Sequence, residues 1–165
     1  MQNNFKPDKE IKFFRLLNEK KIKYLLIGRQ ACVIYGLPVN TFDYDIAVDN
    51  DRENIEKLLK LAKEFELKPS KSEQDILSKK QPIFSLQNDI KIDVFCAKRY
   101  GTVDNKFIVF SDAFEKKIIK RDKKSRLVFY VPIIDDLIMF KKINPREKDF
   151  EDIKMLESIK GKEKN

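Results

Sequence analysis

The chain has 165 residues, which suits one domain or one domain with a small appendage. Hydrophobic residues make up 42% and include 13 phenylalanines, enough for a core, while charged residues make up 38% and leave a net charge of +8. There is no histidine. Imidazole metal sites and histidine acid–base catalysis are therefore excluded, and any bound metal must be held by oxygen, as Mg²⁺ or Mn²⁺ is, rather than as zinc usually is.

The charge excess is mostly Lys and Glu. With few glycines, this usage resembles that of thermophile proteins, although a low-GC genome gives a similar bias. A lysine surplus suits polyanionic partners such as nucleic acid or nucleotides. The plain alternative is a solvated Lys/Glu surface, because lysine is spread along the whole chain. Cys32 and Cys96 lie in apolar stretches and read as buried thiols rather than a disulfide. No signal peptide or membrane-length apolar run is present, so a cytoplasmic protein is expected.

In chain order, Asp8 can cap a helix to Lys21, with Ile11, Phe14 and Leu17 at helical spacing. Tyr24–Ile27 reads as a buried strand ended by Gly28. Gln30–Tyr35 reads as a short helix broken by Gly36-Leu37-Pro38. Asp43–Val48 is a second strand. Asn50 and Glu53, at capping-box spacing, open a helix that Pro69 stops, with Ile55, Leu58, Leu59, Ala62 and Phe65 on its apolar face. Ser72–Lys80 is polar and reads either as a short helix or as a loop. Ile83–Leu86 and Ile90–Cys96 are strands, followed by a loop over Lys98–Asp104 and an apolar run, Phe107–Phe110. Asp112–Lys120 is expected as helix, Leu127–Val131 as strand. Asp135 can cap a helix to Ile143, and Glu147–Ile159 forms a last helix with Phe150, Ile153, Leu156 and Ile159 on one face. The tail after Lys160 is expected to fray. Strands alternating with helices imply an α/β or α+β domain, a small mixed sheet flanked by helices. The expected organisation is one domain, 1–165, with a core over 22–98 and a helical part over 132–160 packing on it.

Three acids stand out. Asp43 and Asp45 are two apart in an apolar strand, so they point the same way and repel each other. Asp93 sits on the less apolar face of a later strand. If those strands are neighbours, three carboxylates converge in a donor set that hard divalent cations prefer.

A glycine at a strand end, a short helix, an Asp-hydrophobic-Asp strand and a lone Asp in a later strand together resemble the nucleotidyltransferase superfamily, the DNA polymerase beta-like fold. Gly28-Arg29 is followed by thirteen residues before Asp43, inside the family's range. Asp93 lies where that family's third metal ligand is expected. The run Asp135–Lys142 and the run Arg146–Ile153 are similar to the closing helices of small members, both stand-alone minimal enzymes and the abortive-infection toxin type. The resemblance covers roughly Tyr24 to Leu156. It implies two Mg²⁺ ions, with Mn²⁺ an alternative, held by Asp43, Asp45 and Asp93. It also implies a nucleotide held at Gly28, Arg29, Thr41, Lys142 and Lys148. The family's second small residue is Arg29 here, which either pairs with phosphate or fills the pocket; the Arg commonly found just after Gly-x-Pro is Val39. Thr41 reads either as a nucleotide contact or as a local turn hydrogen bond.

The expectation is thus a Mg²⁺-dependent nucleotidyltransferase that moves a nucleoside monophosphate, such as that of ATP, to a hydroxyl on RNA or tRNA, on a protein as in toxin–antitoxin pairs, or on a small molecule. The rival readings are an inactive member acting as an antitoxin or scaffold, and a plain nucleic-acid-binding domain with incidental acids.

Overall fold

A computed structural model describes residues 7–79, 82–123 and 125–163. The side chain of Asp8, together with Lys80 and Lys124, falls outside what is described. The elements are α1 (Pro7–Glu19), β1 (Tyr24–Ile27), α2 (Gly28–Ile34), β2 (Tyr44–Val48), α3 (Arg52–Glu64), β3 (Lys68–Pro69), α4 (Glu73–Leu77), β4 (Ile83–Gln87), β5 (Lys91–Phe95), β6 (Arg99–Gly101), β7 (Phe107–Val109), α5 (Phe110–Glu115), β8 (Ile118–Arg121), β9 (Val128–Val131), α6 (Ile134–Lys141) and α7 (Glu147–Glu163).

Five strands form a mixed sheet in the order β1-β2-β5-β4-β3. The β2–β5 pair is parallel; β1–β2, β4–β5 and β3–β4 are antiparallel. Alternation assigns its two faces. Tyr24, Leu26, Ile46, Val48, Ile92, Val94, Phe84 and Leu86 face a core that takes in Phe13, Phe14 and Leu17 of α1 and Ile55, Leu58 and Leu61 of α3. Leu25, Ile27 and Ala47 face a second core with Ala31 and Cys32 of α2, Leu137 and Ile138 of α6, and Ile153 and Leu156 of α7. The second face is covered over β1 and β2 by these helices. Towards β5 it opens as a cleft.

Helix ends depart from the sequence reading for a definable reason. α1, α2 and α3 all close with paired reverse hydrogen bonds: Ile22 N to Leu17 O, Leu37 N to Cys32 O, and Leu67 N to Ala62 O. The left-handed residue each requires is Gly36 in α2, at φ +93°, but Lys21 and Glu66 in the others, both at φ 57°. α3 therefore stops at Glu64, and Pro69 lies in β3 instead. Asp51, not Asn50, precedes α3, and its side chain makes no capping bond. Ile133 rather than Asp135 precedes α6. Ser72 does cap α4, accepting from Asp75 N at 3.1 Å.

Two segments differ in type and one in extent. Lys98–Asp104 contains β6, paired with β7. Residues 116–120 are not helical: α5 ends at Glu115, and β8 pairs antiparallel with β9. The last helix continues to Glu163, with Phe150 at 48% exposure rather than in the core. Both cysteines are buried thiols. Among the described residues no helix is long and apolar enough to cross a membrane.

Candidate active site

The cleft begins with a close contact. Gly28 follows β1 with φ +70°, a conformation that side chains rarely adopt. A Cβ there would lie 2.2 Å from the Asp45 Oδ2 atom. Glycine is thus needed twice, for the backbone turn into α2 and for room beside the Asp45 carboxylate.

β2 starts at Tyr44, so Asp43 stands just ahead of the strand, exposed. The Thr41 hydroxyl accepts from Asp43 N at 3.3 Å, and Gln30 Nε2 donates to Thr41 O at 3.2 Å. The loop that presents Asp43 is thereby tied to α2, and Thr41 plays the local turn role. The parallel register places Asp45 directly opposite Asp93. Both side chains leave the sheet on the cleft side, since Ile92 and Val94 occupy the other face. Burial pushes the Asp45 carboxyl up to about 6; Asp93 and Asp43 add to the rise, and Lys141 opposes it. The sequence implied three converging carboxylates. The structure brings two into register and leaves the third at the rim, and among the described residues no three Asp, Glu, Cys or His side chains gather closely enough to enclose a metal ion.

The cleft has a volume of about 420 Å³, and its lining includes Gly28, Asp45, Asp93, Phe95, Lys141 and Asp149. Lys142 and Lys148 are not part of that lining. Lys142 Nζ instead pairs with Asp104 at 3.4 Å. The lysine that reaches the cleft is Lys141, 3% exposed at its side chain, held by Asp152 Oδ2 at 3.0 Å and Asp149 Oδ1 at 3.6 Å. Arg29 joins the same cluster, with Nε donating to Asp152 Oδ2 at 3.1 Å and a second guanidinium nitrogen 3.4 Å from Oδ1. Arg29 therefore does not line the cleft: two of its guanidinium nitrogens are committed to a fully buried carboxylate, with the side chain 24% exposed.

Lys141 and Asp152 were missed as a pair, yet the sequence carries a signal for them. Ile134, Leu137, Ile138 and Lys141 form one apolar stripe of α6, and Asp149, Asp152, Ile153 and Leu156 one stripe of α7. A cation on one inward stripe and acids on the next imply a buried ion cluster between the two helices.

No protein-family model and no curated protein matches the chain in sequence. Solved structures do match it in fold. The chain is similar to the lincosamide antibiotic adenylyltransferase LnuA, whose structure has lincomycin bound, with a TM-score of 0.62 and 17% identity over 95% of this chain and 99% of that one. It is also similar to a candidate nucleotidyltransferase from Thermotoga maritima, with a TM-score of 0.52 and 17% identity over 93% of this chain and 85% of that one. At such identity the likeness is one of fold. The mixed sheet flanked by helices is a nucleotidyltransferase fold, as the motif spacing implied.

Proposed function

We propose that the chain is a nucleotidyltransferase that moves a nucleoside monophosphate from a nucleoside triphosphate to a hydroxyl acceptor. One observation carries this reading: Asp45 and Asp93 lie directly opposite each other in a cleft beside Gly28, with too little positive charge to balance them. The fold shared with LnuA supports it.

The donor set fits Mg²⁺ or Mn²⁺. Two carboxylates face each other and Asp43 adds a third negative charge nearby; burial first, and then Asp93 and Asp43, raise the Asp45 carboxyl, a cost that a hard cation relieves. Asp45 and Asp93, with Asp43 at the rim, would hold the metal. When bound, it would neutralise charge on the phosphates and ease ionisation of the acceptor hydroxyl.

The remaining work falls to the protein. In the proposed step the acceptor oxygen bonds to the α-phosphorus, the bond from that phosphorus to the bridging oxygen breaks, and pyrophosphate departs. The hydroxyl proton passes to the Asp93 carboxylate. Lys141, anchored by Asp149 and Asp152, supplies fixed positive charge at the cleft wall without reorganisation. Gly28 leaves the Asp45 carboxylate room beside the β1 end. Catalysis then comes mainly from positioning and charge neutralisation.

LnuA acts on an antibiotic, so a small-molecule hydroxyl is one acceptor class for this fold. The net charge of +8 favours RNA, and a protein hydroxyl is the third class. The test is incubation with each labelled nucleoside triphosphate, Mg²⁺ and total RNA or lysate, followed by asking what becomes labelled. Label is expected on one acceptor class with wild type and on none with Asp43→Ala or Asp45→Asn, both remaining folded. Equal labelling by Asp43→Ala would remove that acid from the mechanism. Failure of every nucleotide to raise the melting temperature in the presence of Mg²⁺ would leave the inactive binding module, an antitoxin or scaffold, as the reading.

A further inference from the structure

The positive charge of this protein is not evenly distributed. The stretch from residue 116 to residue 126 holds Lys116, Lys117, Lys120, Arg121, Lys123, Lys124 and Arg126 against a single acid, Asp122. That local surplus of six accounts for most of the net +8. Apart from Lys124, which lies outside the described residues, these cations sit on the β8–β9 hairpin, its approach and its turn.

The cations divide into two groups. Lys116 pairs with Asp136 at 3.2 Å. Lys117 Nζ sits over the Phe114 and Tyr130 rings, at 4.0 and 5.6 Å, and Lys120 Nζ lies 5.3 Å from the Tyr35 ring. These three are held against the body of the protein. Arg121, Lys123 and Arg126 are exposed, and none of them makes an ion pair or ring contact with the described residues. The acid between them serves the turn: Asp122 Oδ2 accepts from Ser125 N at 2.9 Å and from Ser125 Oγ at 2.7 Å. The tip is thus preorganised, with Arg126 at φ 59° and Leu127 O accepting from Asp122 N.

The hairpin is anchored to α1, on the sheet face opposite the cleft. Asn18 Nδ2 donates to Val128 O at 2.8 Å, and the Phe129 ring lies 5.2 Å from Phe14, which in turn lies 5.2 Å from Tyr44. Tyr44 is the residue between Asp43 and Asp45. Its ring packs on the first core, the face away from the Asp45 carboxylate.

We propose that the β8–β9 hairpin is a docking surface for the phosphodiester backbone of a polynucleotide, held by Arg121, Lys123 and Arg126. Exposed Arg and Lys that pair with no described acid are the parts from which salt-dependent, sequence-tolerant binding of a phosphate backbone is built. A polynucleotide is favoured over an anionic membrane because Ile119 is the one large apolar side chain of the described hairpin exposed beyond half, too little for insertion. The proposal deepens the transferase reading by naming the acceptor class, and it rests on that reading only for what happens after docking.

The test is fluorescence anisotropy of a labelled single-stranded RNA of mixed sequence, with the same sequence as DNA in a second arm, across a salt series. Wild type is expected to bind with affinity that falls linearly in log salt. The triple variant Arg121→Glu, Lys123→Glu and Arg126→Glu is expected to lose about a hundredfold in affinity and to flatten the slope by about two. A charge-matched control, Lys60→Glu, Lys63→Glu and Lys154→Glu, changes exposed helix lysines and is expected to bind within about threefold of wild type. Equal loss in the control, or tighter binding to phosphatidylserine vesicles than to either nucleic acid, would overturn the proposal. The ATP–Mg²⁺ thermal shift separates the two readings: a hairpin variant that loses RNA but keeps the shift supports docking. A wild type that binds RNA through the hairpin without any nucleotide shift leaves docking intact and removes the transferase. A nucleotide shift with RNA binding indifferent to the hairpin does the reverse.

Discussion

Two groups of charges meet at the same cleft, and they are built in opposite ways. Arg29, Lys141, Asp149 and Asp152 pair cation with anion, with Asp152 wholly buried between Arg29 and Lys141 and Asp149 also meeting the exposed Arg146 at 3.8 Å. Asp45 and Asp93 are two anions side by side, with only the influence of Lys141 to offset them. The first arrangement holds α2, α6 and α7 in register. The second leaves electrostatic strain open to the cleft. The difference separates what keeps the fold from what the fold keeps ready, since strained charge tends to concentrate where chemistry is done.

The largest effect should come from breaking the balanced group. Asp152→Ala leaves the buried Lys141 with Asp149 alone and the part-exposed Arg29 without its carboxylate, and is expected to cost about 3 kcal/mol in chemical denaturation. A loss below about 1 kcal/mol would mean that water reaches the cluster and that the contrast is false.

The unbalanced pair should respond with the opposite sign. The Asp45 carboxyl is raised from 3.8 to about 6, so between those values the folded state holds a proton that the unfolded chain has released. Stability of the metal-free protein should therefore fall as pH rises through that window and stay low above it. Asp45→Asn is expected to remove that slope and to gain about 2–3 kcal/mol at neutral pH in chelator, while abolishing transfer. Melting curves at a series of pH values check this, and an unchanged slope in the variant would place the strain elsewhere.

Gly28→Ala tests the contact between the two groups. The positive φ and the approach to Asp45 Oδ2 should together cost about 2 kcal/mol. The same change in an Asp45→Ala background should cost less, because the nearest clashing atom is gone, and a double-mutant cycle measures the coupling. The smallest effect belongs to the control. Lys142→Ala removes a half-exposed pair with Asp104 and should change stability by less than about 0.5 kcal/mol, with nucleotide affinity unaltered. Lys141→Met should lower that affinity, separating neighbours in sequence by their position on the helix.

Legibility followed the physics of each signal. The alternation in Ile90–Val94 and the Gly28 and Asp-x-Asp spacing fix faces and a turn, and both carried through to the sheet and the cleft. Gly36 marked the end of α2 because glycine advertises a left-handed residue; Lys21 and Glu66 do the same work in α1 and α3 without advertising it. β6 and β8 went unread because each is short and charged, and only pairing with β7 and β9 makes them strands. Asp43 read as part of β2, but the strand begins where Tyr44 first finds a partner in Ile92. Arg29 could be weighed only as a phosphate ligand or a plug, because the acid that claims it lies far along the chain in α7.

The parallel pairing of β2 with β5 has a kinetic consequence. The chain between them must pass through α3, β3, α4 and β4 before the strands can align, so Asp45 and Asp93 meet only when that long crossover closes. Closure of distant segments is the slow part of assembling such a sheet. Repulsion between the two carboxylates is expected to act on that step as a brake, which stopped-flow refolding would show. Mild acid, or a divalent cation captured during closure, releases it, and refolding should quicken under either condition. The residues offered to a metal in the finished protein would then also govern how promptly the protein is finished.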